Sequence, residues 1–257
     1  SPHLFTGLAG ERLARRFKAP FLFEVRDLWP ESLVALGDIP RWHPFILMLE
    51  RIERHLYQRA DRIISLLPLA HLHMEAKGAE PSKITWIPNG IDLDMVPSPI
   101  PSEPRDKFTV MYAGTHGLAN HLDLVLEAAF LVAQKDTNKF IRFRFVGDGP
   151  EKHRLQLKAQ KLGLTNVSFE NAVPKRQIYE LLSSADAFVV VVKDSPLYQW
   201  GVSINKLFDY LAVARPIIFS GSVPRNHVEE AGAGIVVPRN DPVAIANAVL
   251  KLAEMTP

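Results

Sequence analysis

Six consecutive apolar residues, Ala187-Phe188-Val189-Val190-Val191-Val192, lie between Asp186 and Lys193. A strand with one wet face alternates apolar and polar side chains. This run offers water neither face, so it belongs at the centre of a sheet covered on both sides. Crossover helices supply that cover. The surrounding sequence reads accordingly, with strands expected at 108–112, 141–146, 167–169, 187–192, 216–220 and 234–237. Helices are expected at 121–134, 151–162, 175–183, 205–213, 223–231 and 243–255. Short connections between strands and helices imply right-handed crossovers and a parallel sheet.

The first third follows the same logic. A helix over 4–17 carries Leu4, Leu8, Leu13 and Phe17 on one side, and a short apolar strand at 21–25 follows Pro20. An amphipathic helix over 45–57 repeats Phe45, Leu49, Ile52 and Leu56 at helical spacing. A strand at 62–66, a helix at 69–77 closed by Gly78, and a strand at 84–87 stopped by Pro88-Asn89-Gly90 complete it. Pro97, Pro99, Pro101 and Pro104 then crowd one stretch. Proline fixes φ and removes a donor, so residues 96–106 read as a semi-stiff linker. The expected fold class is α/β, with two Rossmann-like parallel-sheet domains, 1–95 and 107–257, facing across a cleft. Three strands do not make a doubly wound sheet, and the chain opens on a helix, so the N-terminal domain reads as incomplete.

Composition excludes several classes. Of 257 residues, 47% are hydrophobic and 23% charged, which argues against disorder. No apolar run approaches the ~20 residues of a membrane-spanning helix. Cysteine is absent, which removes disulfides and thiolate metal sites and fits a reducing compartment. Nine scattered histidines show no zinc-binding spacing, so no metal is expected. A net charge of +2 without a basic stripe gives no reason to expect nucleic acid. The opening residues have no charged region ahead of an apolar stretch and do not read as a signal peptide.

Parallel sheets bind ligands at the carboxyl ends of their strands, where helix N-termini attract phosphate. Three loops of the second domain suit that chemistry. In Tyr112-Ala113-Gly114-Thr115-His116-Gly117, two glycines allow close approach to a bulky anion, although a plain tight turn reads equally well. In Gly147-Asp148-Gly149-Pro150 the rival reading is a helix start capped by Asp148. In Gly201-Val202-Ser203-Ile204-Asn205-Lys206-Leu207-Phe208-Asp209, Ser203 and Asn205 are capping types, and Lys206 stands in the first turn, where the helix dipole disfavours a cation. A bound diphosphate would explain the lysine, and Asp209, three residues on, could accept hydrogen bonds from a ribose. The rival is a surface Lys206–Asp209 pair worth only ~0.3 kcal/mol.

Taken in order, these segments resemble the GT-B glycosyltransferases of family GT4. They are most similar to the branch that builds bacterial O-antigen and capsule sugars, such as the N-acetyl-L-fucosamine transferases. Phe23-Glu24-Val25-Arg26-Asp27-Leu28-Trp29-Pro30-Glu31-Ser32 resembles the stretch on the family's acceptor side. Ile87-Pro88-Asn89-Gly90-Ile91-Asp92 resembles its IPNGVD motif, and Ser203 to Ala212 resembles its SPNKLFDYMA segment. Gly147 to Pro150 and Val173-Pro174 match its nucleotide-side loops.

The resemblance implies a retaining, metal-independent transferase with a nucleotide-diphosphate sugar donor, a UDP-sugar first among them, and a saccharide or lipid-linked acceptor. It places residues 1–95 on the acceptor side and 107–257 on the donor side. Asp209 falls at the second acid of the family's EX7E motif and would hold the ribose, while Lys206 would stabilise the departing diphosphate. Gly114 and its neighbours would face the phosphates, with His116 adding to their neutralisation, and Val173 would meet the base through its backbone. Arg26 and Asp27 would face the donor sugar or acceptor, Asp27 orienting the acceptor or acting as base. Two basic residues that many members carry fall at Thr115 and Asn120, and the first acid of EX7E falls at Gly201. No separate cofactor is called for.

Trp29 and Trp86 read as packing residues, whereas Tyr198 and Trp200, in a loop ahead of the Lys206 helix, read as sugar contacts. The series Arg51, Arg54, His55, Arg59 and Arg62 reads first as a solvated helix face. Lipid-linked acceptors of the resembled family keep open a peripheral contact at the inner membrane face of a cytoplasmic protein. Rival functions are a non-catalytic nucleotide-sugar-binding subunit and a UDP-sugar 2-epimerase. A flavodoxin-like regulator is disfavoured because the strand ends carry no acidic cluster.

Overall fold

The computed structural model describes residues 3–36, 39–96, 106–138 and 140–255. The expected linker prolines, Pro97, Pro99, Pro101 and Pro104, lie outside the described residues. The chain divides into two compact units. One comprises Ser1–Asn89, Ser195–Ser203 and Val223–Arg225, and the other Gly90–Asp194, Ile204–Ser222 and Asn226–Pro257.

The first unit runs α1 (Leu4–Phe17), β1 (Leu22–Val25), α2 (Glu31–Leu36), α3 (Pro44–Arg59), β2 (Arg62–Ser65), α4 (Ala70–Ala76) and β3 (Ile84–Trp86). Its strands form a parallel sheet in the order β1-β2-β3, with Phe23 beside Ile63 and Ile63 beside Ile84. On α3, Ile46, Leu49, Glu53, Leu56 and Tyr57 are buried at helical spacing. Proline at its first turn and the His43 ring, which accepts from the Phe45 N–H, set its start. Glu53 is fully buried, and its Oε1 accepts from Tyr57 Oη at 3.0 Å and His73 Nε2 at 2.7 Å, while Oε2 has no hydrogen-bond partner among the described residues. The six-residue α2 has no counterpart in the sequence reading, because so short a helix shows no periodicity.

The second unit alternates strictly: β4 (Phe108–Ala113), α5 (Leu122–Lys135), β5 (Ile141–Val146), α6 (Lys152–Lys161), β6 (Val167–Glu170), α7 (Ile178–Ser183), β7 (Ala187–Val191), α8 (Asn205–Ala212), β8 (Ile217–Ser220), α9 (His227–Glu230), β9 (Gly234–Val237) and α10 (Pro242–Met255). All strand pairs are parallel, in the order β6-β5-β4-β7-β8-β9. Every residue of β4, β7 and β8 is buried, as the valine run requires. The expected helix over 223–231 contracts to four residues, because Pro224 and Arg225 (φ 53°) precede its cap, Asn226.

Strand order reverses between β4 and β7, so the loops leaving these two strands diverge and open a crevice at their carboxyl ends. One side chain fixes what borders it. Tyr210 of α8 is buried, stacks on Phe188 of β7 at 4.1 Å, and bonds both backbone groups of Ala113 at the end of β4. Its Oη accepts from the Ala113 N–H at 2.8 Å and donates to the Ala113 carbonyl at 2.9 Å. Tyr210→Phe keeps the stack and strands both partners, so it should cost roughly 1–3 kcal/mol. A urea titration should show a lower midpoint at unchanged slope, and an unaltered midpoint would contradict this role.

Candidate functional site

The crevice at the β4/β7 switch is a pocket of about 640 Å³ within the second unit. Its walls come from the loops after β4 (Gly114, Thr115, Asn120) and β5 (Gly147, Asp148), from Ala172 and Val173, and from the start of α8 (Ile204, Asn205, Lys206, Asp209). Backbone N–H groups at a helix start lack intrahelical partners. Here the N-cap is Ile204, whose side chain makes no capping bond. The end of α8 therefore meets the pocket with its dipole uncompensated.

Lys206 is the dominant charge. Its ammonium donates to Tyr112 Oη at 2.5 Å and to Asn120 Oδ1 at 2.7 Å, and lies 4.3 Å from the centre of the Tyr112 ring. Desolvation pulls its pKa down to about 8. Among the described residues no carboxylate pairs with it. Asp209 instead accepts from Tyr179 Oη at 3.0 Å, and the buried Tyr179 hydroxyl is pushed up to about 12. The surface-pair alternative for Lys206 and Asp209 thus finds no support in the geometry.

Two other loops are braced by glycine. The Gly114 N–H donates to the Val146 carbonyl at 2.9 Å, and the His116 N–H to the Asp148 carbonyl at 2.8 Å, so the β4–β5 pairing runs on past the strands. A Cβ on Gly147 would stand 2.0 Å from the Gly114 oxygen, and one on Gly149 2.5 Å from the His116 oxygen. Both glycines permit loop-on-loop contact. Lys152, at the start of α6, ties the same ends together by donating to the carbonyls of Gly147 and Glu170, each at 2.9 Å.

Gly114, Thr115, Gly147, Asp148, Val173, Asn205, Lys206 and Asp209 thus share one pocket. Four other expected residues do not line it. His116 is wholly buried among the Tyr112, Phe145 and Phe169 rings, with neither ring nitrogen bonded. Desolvation lowers its pKa, with Lys152 adding to the effect, so the expected cation is a neutral imidazole. Gly149 is taken up by its packing on His116, and Pro174 caps a 3-10 turn, Lys175–Gln177. Ser203 does not cap α8. Its Oγ accepts from the Asn89 N–H at 3.0 Å, and its carbonyl from Asn89 Nδ2 at 2.8 Å, which is the structural use of the Pro88-Asn89-Gly90 turn. Asp148 does not cap α6 either, but accepts from the adjacent Gly149 N–H.

Arg26 and Asp27 belong to the first unit, beyond the end of β1, where Arg26 stands 3.7 Å from Glu24. Within that unit burial, and then Asp27, raise the pKa of Tyr198. Trp200, expected at sugar, packs on the first unit's core, meets the His73 ring edge-on at 5.7 Å, and lends its carbonyl to the Leu69 N–H. Gly201 takes a left-handed φ of 93°, and a Cβ there would lie 2.4 Å from Pro68 Cγ, so no acid fits at that position. Sequence reasoning named Tyr112 only as the first residue of the Gly114 loop, with no role of its own, and missed Tyr179 and Lys152.

Residues 107–255 match the glycosyl transferases group 1 family, and residues 1–90 match the glycosyl transferase 4-like domain. The chain belongs to the glycosyl transferases group 1 family. Its fold is that of the GT-B enzymes. It is 25% identical over 260 residues to the probable glycosyltransferase WbjE of Pseudomonas aeruginosa, an alignment that spans 95% of the chain but 62% of that relative. Anabaena Alr3699/HepE, solved in complex with UDP, superposes with a TM-score of 0.74 at 15% identity, over 98% of this chain and 67% of that one. WaaG, a glycosyltransferase involved in lipopolysaccharide biosynthesis, gives 0.70 at 16% identity, over 95% and 71%.

The lowered pKa of Lys206 makes a thermodynamic statement. Between about pH 8 and the ordinary lysine value the unfolded chain holds a proton that the folded chain has lost. The unfolded state binds more protons there, so stability rises with pH across that window. Each pH unit in it is worth about 1.4 kcal/mol. Relative to Lys206→Met, the wild-type chain should therefore gain roughly 2 kcal/mol between pH 8 and 10 in denaturant titrations. A pH-independent difference would show that the ammonium is not desolvated.

Proposed function

We propose that the chain moves a sugar from a nucleotide-diphosphate donor, a UDP-sugar, to a saccharide or lipid-linked acceptor with retention, in building a surface polysaccharide of the O-antigen kind. The observation that carries this is an ammonium without a counter-charge at an uncapped helix start, one turn from a carboxylate, in the switch-point pocket. Diphosphate fits the first feature and ribose hydroxyls the second. Uracil would then lie toward Ala172, Val173 and Ile178. Support for the donor class comes from Alr3699/HepE, solved with UDP and glucose, and for the pathway class from WaaG.

Breaking the anomeric C–O bond throws negative charge onto the diphosphate and positive charge onto the sugar ring. Donors already aimed at the phosphate lower that barrier because they need not reorganise. Lys206 Nζ and the free N–H groups of α8 fill this role. Asp209 fixes the nucleoside end, so that the anomeric carbon reaches the acceptor in one orientation. Arg26 and Asp27 are assigned to the sugar and acceptor side.

A peripheral membrane contact fits the exposed face of α3. That face carries Arg51, Arg54 and Arg59 beside Phe45, Leu47 and Met48, while Glu53 is buried and Glu50 is held by Lys77. Among the described residues no helix is long and apolar enough to cross a membrane.

Calorimetry with UDP tests the donor site. Lys206→Ala should weaken UDP by roughly 10- to 100-fold, the value of a hydrogen bond to a charged group, and Asp209→Asn by about tenfold. Wild-type affinity in both variants would remove the assignment. Tight UDP binding with no transfer or donor hydrolysis would favour the non-catalytic subunit, a reading that Gly201 at the first acid position also fits.

A further inference from the structure

We propose that Tyr112 and Asn120 are positioning residues for Lys206, which together hold its ammonium at the pocket wall through neutral acceptors alone, so that an uncompensated charge is in place before an anionic ligand arrives. This rests on the reading of the pocket as a diphosphate site and deepens it.

The geometry turns on a single carbonyl. The Thr115 oxygen accepts from Tyr112 Oη at 2.7 Å and from Asn120 Nδ2 at 2.9 Å. The Tyr112 proton and one Asn120 N–H are thereby committed to Thr115. What remains to face Lys206 is a phenol lone pair, at 2.5 Å, and an amide oxygen, at 2.7 Å. Neither group can turn a proton toward the ammonium without giving up its bond to Thr115. The Tyr112 ring adds its electron-rich face 4.3 Å away. Gly114 completes the cradle, because a Cβ there would come within 3.0 Å of Lys206 Cε and 3.2 Å of Nζ.

The other ionisable side chains that line the pocket, Asp148 and Asp209, have partners of their own. Asp209 accepts from Tyr179, and Asp148 accepts from the Gly149 N–H. His116, behind the loop, is held neutral by burial, and Lys152 is tied to carbonyls. Burial raises the pKa of Tyr112, so it stays a phenol. A carboxylate in place of either acceptor would hold the ammonium more strongly, but would cancel the charge that an incoming phosphate needs. Without any holder, a four-carbon side chain would spread over many rotamers, and binding would have to order it.

The test follows the Lys206 ammonium directly, by NMR titration of the intact chain labelled with 13Cε-lysine, in wild type, Tyr112→Phe and Asn120→Asp. UDP affinity is measured alongside by calorimetry from pH 6.5 to 9. Tyr112→Phe removes an acceptor and should move the Lys206 midpoint down by about one pH unit. It should also weaken UDP by about tenfold at neutral pH. Asn120→Asp adds a counter-charge and should move the midpoint up while it, too, weakens UDP. Opposite shifts with a shared loss of affinity are not what a merely structural role would produce. Midpoints unmoved in both variants, whatever their melting temperatures, would overturn the proposal, as would full UDP affinity in both. A wild-type chain that binds no UDP, but whose Lys206 midpoint shifts as described, would support the cradle and contradict the diphosphate reading.

Discussion

An ammonium taken partly out of water and bonded only to uncharged oxygens is the constraint from which the site is built. Such a group is costly to hold, because desolvation acts against the charged form and, among the described residues, no carboxylate pairs with it. The fold sustains it by rigidity. Tyr210 fastens α8 to the end of β4, so that the helix carrying Lys206 and the strand carrying Tyr112 keep a fixed separation.

The same economy governs the loops. Gly114, Gly147 and Gly149 do not open space for a ligand in the simple sense of a glycine-rich cradle. Two of them allow adjacent loops to pair as if the strands continued, and the third makes room for the lysine. The pocket wall is thus an extension of the sheet, stiffened by Lys152 on the far side. Asp209 is likewise preset by a phenol held well above its ordinary titration range.

The parallel sheet was legible in the sequence, because the run from Ala187 to Val192 admits no other placement and its neighbours repeat at crossover spacing. The lining of the pocket was legible in outline, since a lysine in the first turn of a helix runs against local electrostatics and singled out the loop that, with the loops after β4 and β5, borders one cavity. What escaped were pairings between distant residues. Nothing local to Tyr112 announces that its hydroxyl meets a lysine 94 positions on. Ser203 was read as a helix cap because its type suits one, yet it serves Asn89, a partner 114 positions away. His116 was read as functional through the family resemblance and Trp200 through its loop position, and in the structure both pack against core residues. The short α2 escaped because six residues carry no usable period, and α9 was read too long because Pro224 and the left-handed Arg225 delay its start.

The most direct measurement is a crystal structure of the chain soaked with UDP. The account requires a phosphate oxygen within hydrogen-bond distance of Lys206 Nζ, the free N–H groups of α8 directed at the diphosphate, and ribose hydroxyls on the Asp209 carboxylate. UDP seated elsewhere, with Lys206 still bonded only to Tyr112 and Asn120, would contradict it.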